Sequence, residues 1–171
     1  MLPPRLLSVS LLIVSFLSTA TEAKAQIELP KPTGWISDFA KVIDVETQKR
    51  LIDLSIELDK KAHAQIAVVT IDSLGGAFID DYAHSLFNQW GIGNKGENRG
   101  VLILFAMSER KFRIEVGLGL ETLLPNERVA EIVKEVIPDL KQQRYSKAAF
   151  HAASKVAAII AKDRGVTLTV P

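Results

Sequence analysis

Val101-Leu102-Ile103-Leu104-Phe105-Ala106-Met107 is followed, after Ser108-Glu109-Arg110, by Lys111-Phe112-Arg113-Ile114-Glu115-Val116. The first run is apolar at every position, as in a central strand covered on both faces. The second alternates Lys111, Arg113 and Glu115 with Phe112, Ile114 and Val116, the period-two pattern of a strand with one polar face, nearer an edge. The tight connection between them makes the two strands antiparallel neighbours.

Working upstream, Gln65 to Ile71 is another β-rich apolar run, and residues 78 to 90 place Phe78, Tyr82, Leu86, Phe87 and Trp90 at helical spacing. A helix between two apolar strands makes the strands at 65–71 and 101–107 parallel, with a right-handed crossover. Asp44 is an N-cap for a helix running to about Ala62, with Leu51, Leu54 and Leu58 inward and Ile52 and Ile56 beside them. Trp35 to Phe39 reads as a short strand or an ordered turn. Downstream, one helix is expected from Asn126 to Ile137, stopped by Pro138. Another spans Ser146 to Lys162, with Gly165 as its stop. The order predicts an α/β fold, a three-layer α/β/α sandwich around a small mixed sheet.

The N-terminus reads as an export segment. Met1 to Arg5 is a short basic region, Leu6 to Ala20 is apolar, and Ala23-Lys24-Ala25 is a small-x-small cleavage site. The expected organisation is therefore a signal peptide at 1–25, an extended lead-in at 26–33, one domain at 34–164 and a tail at 165–171. Losing Arg5, Glu22 and Lys24 with the signal takes the net charge from +1 to about zero. That balance gives no support to nucleic-acid binding. The chain has no cysteine, so packing alone must hold the fold in an oxidising compartment.

Motifs for common chemistries are absent or misplaced. Gly91-Ile92-Gly93-Asn94-Lys95-Gly96 matches G-x-G-x-x-G, but a helix precedes it and a strand follows, the reverse of a dinucleotide site. His63, His84 and His151 lack metal-ligand spacing, and no serine sits in a nucleophile elbow. His84 lies four residues after Asp80, so the two could pair on one helix face. Trp90, ending an apolar stripe, reads as a core plug. Gly117 and Gly119, just after a strand, mark either a turn with positive φ or a close backbone approach to a ligand. Carboxylates remain, and these permit an oxygen-ligated calcium or magnesium ion without proving one.

Several stretches together resemble the TPM domain family of bacterial envelope proteins and a thylakoid lumen protein. They are Ser37-Asp38-Phe39-Ala40, the run at 65–71, Trp90 to Gly96, Asn98-Arg99-Gly100 to Leu104, Arg113 to Glu121, and Leu124-Pro125-Asn126. The resemblance implies an α/β/α sandwich in an extracytoplasmic setting, periplasmic or secreted, beside envelope membrane protein complexes. For the thylakoid member it implies photosystem repair and an acid phosphatase activity, and for the family divalent metal binding. Asn126 stands where relatives usually carry aspartate. Relatives often continue into a membrane helix and a glycine-rich tail, whereas this domain is expected to be free of the membrane once the segment at 1–25 is cleaved, an uncleaved N-terminal anchor being the alternative.

Two ends of the sheet compete for a site. The glycine-loop end gathers Gly93, Asn94, Asn98, Gly100, Gly117, Gly119, Glu121 and Asn126, and is the expected place for ligand or partner contact. The other end holds Asp38, Asp72, Asp80 and Asp81, with Asp38, Asp80 and Asp81 the expected cation ligands. The leading functional expectation is a binding or quality-control module for envelope complexes. The alternative is a metal-dependent phosphohydrolase. No catalytic nucleophile can be named.

Overall fold

The computed structural model describes residues 29–93 and 96–169. The expected signal peptide, with Asn94 and Lys95, lies outside the described residues. The elements are β1 (Ile36–Asp38), α1 (Val45–Ala62), β2 (Gln65–Ile71), α2 (Ile79–Trp90), β3 (Gly100–Ala106), β4 (Lys111–Val116), a 3₁₀ turn (Leu118–Leu120), α3 (Asn126–Lys141) and α4 (Tyr145–Asp163).

The sheet order is β1-β2-β3-β4, parallel except for the antiparallel β3–β4 pair. Every residue of β3 is buried, as its unbroken apolar run requires when helices cover both faces. Side chains alternate between two cores. Ile66, Val68, Val101, Ile103, Phe105 and Ile114 pack with α1, α3 and α4, whereas Val69, Leu102, Leu104 and Ala106 pack against α2. This is the expected three-layer α/β/α sandwich. Among the described residues no helix is long and apolar enough to cross a membrane.

Asp44 caps α1 as its sequence position suggests, accepting the Thr47 amide at 2.8 Å. Its carboxyl is held down to about 2 by the Ser146 hydroxyl and then by the Thr47 amide and hydroxyl.

Three expectations need correction. α3 does not stop at Pro138 but runs on to Lys141. Both Ile137 and Pro138 face solvent, so the Lys134 carbonyl that loses its amide partner turns toward water. Arg144 and Lys147 also hold the buried Asp139 carboxylate, at 2.5 and 3.3 Å, which fixes the last turn. Phe78 is 74% exposed, because it sits at the N-cap rather than on the inner face of α2. Ile52 is turned outward on α1. Trp90 is half-buried and packs against the α2-side core as expected, and its indole N–H also donates to the Pro30 carbonyl at 2.9 Å, clamping the lead-in.

Candidate functional site

The glycine-loop end is tightly sewn. Gly93 has φ +108, a conformation that side chains rarely adopt, and its amide donates to the Gln65 side-chain oxygen at 2.8 Å. Gly93 and Gly100 pack back to back, and the Arg99 amide donates to the Gly93 carbonyl at 2.9 Å. Gly117 and Gly119 lie against the carbonyls of Asn98 and Glu97, close enough that a Cβ on either would collide with them. Neither has positive φ. What they permit is contact between two loops of this chain, and the space where a ligand would approach them is filled by residues 97–98. Asn98 itself is exposed, in a left-handed conformation with φ +49.

The acidic residues are not brought together. Asp38 accepts the amides of Val42 and Ile43 at 3.1 and 3.0 Å, the Gln48 side-chain amide at 3.2 Å and the Thr70 hydroxyl at 2.5 Å. Both its oxygens are thus engaged in fixing the turn between β1 and α1, and a cation would have to displace those donors. Asp80 accepts from Arg113 of β4 at 2.7 Å, and Asp81 is exposed on the first turn of α2. Asp38 and the Arg113–Asp80 pair sit on opposite edges of the sheet, about 14 Å apart at three strand spacings. Among the described residues no three His, Cys, Asp or Glu converge on a metal-sized point.

Glu121 and Asn126, by contrast, share a place. Both line an open groove of about 900 Å³ between β4 and the first half of α3. Beyond Phe112 the same cleft continues into a pocket of about 340 Å³ flanked by Ile137, Leu140 and Lys141. The groove exists because the chain leaves β4 through the 3₁₀ turn, anchors on buried Leu120 and Leu124, and then sends α3 back alongside the strand. α3 packs on α4, and so leaves the strand edge uncovered.

That edge has a defined register. Gly117 donates to Gly100 at 2.8 Å, which makes 102/115, 104/113 and 106/111 the hydrogen-bonded pairs with β3. The amides and carbonyls of Phe112, Ile114 and Val116 therefore point away from β3, toward the groove, and make no hydrogen bond within the described residues. Their side chains enter the α1/α3/α4 core, while Arg113 and Glu115 turn to α2.

Over residues 36–159 the sequence matches a family model described as the TPM domain. The chain belongs to the TPM domain family. Three structures solved by solution NMR are similar to it. The N-terminal domain of a P. gingivalis protein shares 25% identity with a TM-score of 0.72, covering 78% of this chain and 86% of that one. The N-terminal domain of a Corynebacterium glutamicum protein gives 14% and 0.60, with the same coverage. A protein from the psychrophilic bacterium Bizionia argentinensis gives 19% and 0.61, covering 70% of this chain and 82% of that one. No curated protein matches the chain.

In this TPM domain the polar face of β4 is locked by pairs that the sequence pattern did not anticipate. Arg113 binds Asp80 and Glu115, and Glu115 also meets His84 at 3.2 Å. The expected Asp80–His84 pair is replaced by these two contacts to the strand. The alternating run at 111–116 signalled an edge strand, but not that α3 would return beside it and leave a groove.

Proposed function

We propose that this TPM domain is a binding and quality-control module that docks on envelope membrane protein complexes through the β4–α3 groove. One observation carries the reading: the six-residue edge strand presents three unsatisfied amides and three unsatisfied carbonyls into a groove where Val129, Ala130 and Val133 of α3 stand among the charged Glu121, Glu127 and Lys134. Exposed strand edges pair readily with other chains unless covered or interrupted, and this one is neither. The export segment at 1–25 supports a periplasmic or secreted setting, where such complexes present their soluble segments.

Site-specific photo-crosslinking in intact cells tests it. A crosslinker at Ala130, in the groove, is expected to form adducts with membrane-complex subunits, and one at exposed Lys60 on α1 is not. Equal adducts from both positions would count against the docking reading.

The second reading is a cation-assisted phosphohydrolase, supported by the acid phosphatase activity that the resemblance to the TPM domain family implies. Calcium or magnesium would find oxygen donors in Glu121, Asn126 and Glu127 at one end of the groove. Titration with each metal, followed by a phosphatase assay on the same sample, decides it. Heat and turnover that both vanish in Glu121→Ala would favour the enzyme.

A further inference from the structure

The groove is electrically polar along its length. Glu121 and Glu127 stand at the end where β4 finishes and α3 begins. Arg110, Lys111 and Lys141 stand at the other end, where β4 begins and α3 finishes. Three basic side chains nearby are spent internally: Arg113 on Asp80 and Glu115, Arg144 and Lys147 on Asp139. Lys134 lines the groove midway along α3, between the two poles. Arg110, Lys111 and Lys141 make no ion pair within the described residues. Glu109, two residues before Lys111, accepts from the Ser73 hydroxyl at 2.7 Å and the Leu74 amide at 3.0 Å, and the Lys111 charge acts on it only as a smaller influence.

We propose that the groove takes an extended peptide ending in a free carboxylate, added as a fifth strand antiparallel to β4, with that carboxylate between Arg110, Lys111 and Lys141. The inference rests on the docking reading above and narrows it to a class of partner: the unstructured C-terminus of another protein. Three features select this chemistry together. Outward amides and carbonyls at Phe112, Ile114 and Val116 match the two-residue repeat of a strand. Alternate side chains of the peptide fall on the same face as those three residues, against Val129, Val133 and Ile137 of α3. The charge poles then set direction. A terminal carboxylate is drawn to the start of β4, which places the peptide's upstream residues near Glu121 and Glu127 and makes the pairing antiparallel. Six residues of β4 span about 20 Å, room for a peptide of similar length.

The test uses the purified protein and fluorescein-labelled KTVTVTL, made once as the free acid and once as the C-terminal amide, read by fluorescence anisotropy. The acid is expected to bind at least tenfold more tightly than the amide. Lys141→Glu should abolish that preference while leaving amide binding intact. Val116→Pro should weaken both at least tenfold, because it removes an outward amide without touching a β3 bond. Should Val116→Pro unfold the domain, the exposed Lys141→Glu variant still carries the test. Equal binding of acid and amide would overturn the carboxylate assignment and leave groove docking standing. No binding of either, together with a doubled mass by light scattering, would overturn the peptide and assign the edge to a second copy of this chain. No binding of either by a monomer would also overturn it, and the Ala130 crosslinks would then judge the docking reading separately.

Discussion

Gly100 sits so close to Gly93 that a Cβ on Gly100 would stand 2.7 Å from the Gly93 Cα and 2.6 Å from the Ile92 carbonyl oxygen. Both obstacles are backbone, so neither can rotate away. Gly100 also begins β3, and its carbonyl accepts from Gly117. Gly100→Ala is therefore expected to destabilise the fold by about 2 kcal/mol or more, the scale of overpacking in a closed site. Urea unfolding measures this directly; an unchanged midpoint would mean that the loop crossing yields easily.

Asp38 supports the first turn of the sandwich through four donors. Asp38→Ala leaves the amides of Val42 and Ile43 and the Thr70 hydroxyl without their acceptor. A loss of about 2 kcal/mol is expected, in line with hydrogen bonds to a charged group in a half-buried site. Calcium titration of the same variant should match the wild type. A selective loss of metal heat, with stability unchanged, would assign Asp38 to a cation instead.

Pro138 denies α3 one internal hydrogen bond at an exposed position. Pro138→Ala restores the bond to the Lys134 carbonyl, offset in part by greater freedom of the unfolded chain. The net gain should be about 1 kcal/mol, seen as a melting point raised by about 3 °C.

The acid limb of stability should owe much to capping carboxylates. The Asp44 carboxyl lies at about 2, below its ordinary 3.8. Its contribution is complete above about pH 4, where the unfolded carboxyl is ionised. It is lost as pH falls toward 2, because the unfolded chain takes up the proton first. Glu109, Glu135 and Asp139 are lowered too, first by Ser73, Lys155 and Arg144 respectively, and act in the same direction. Melting points from pH 6 to 2 should fall most steeply below pH 4, and less steeply in Asp44→Asn.

The sheet was legible because its strands differ in hydrophobic pattern. An unbroken run at 101–107 can only be central, and the alternation at 111–116 admits water to one face. Pro138 does not end α3, because at an exposed position the clash and the lost hydrogen bond cost less than the packing of the flanking turns returns, and that exposure is not written in the local sequence. The glycines at 93, 100, 117 and 119 announced close backbone contact, but sequence cannot say whether the neighbour is a ligand or the same chain. Glu121 and Asn126 follow β4 directly in the chain, so they lie at the end of the sheet where that strand finishes. The groove they line depends on how α3 returns, a tertiary choice made by packing against α4.

Amide hydrogen exchange, resolved by residue, reads the free edge of β4 itself. In the protein alone, Phe112, Ile114 and Val116 should exchange fast although the Ile114 side chain is buried, while the amides of Arg113 and Glu115, bonded to β3, are protected. With the KTVTVTL acid at saturation, the three outward amides should slow by at least tenfold, and Arg113 and Glu115 should stay as they were. Saturated binding that leaves Phe112, Ile114 and Val116 fast would place the peptide somewhere other than the β4 edge and overturn the added strand.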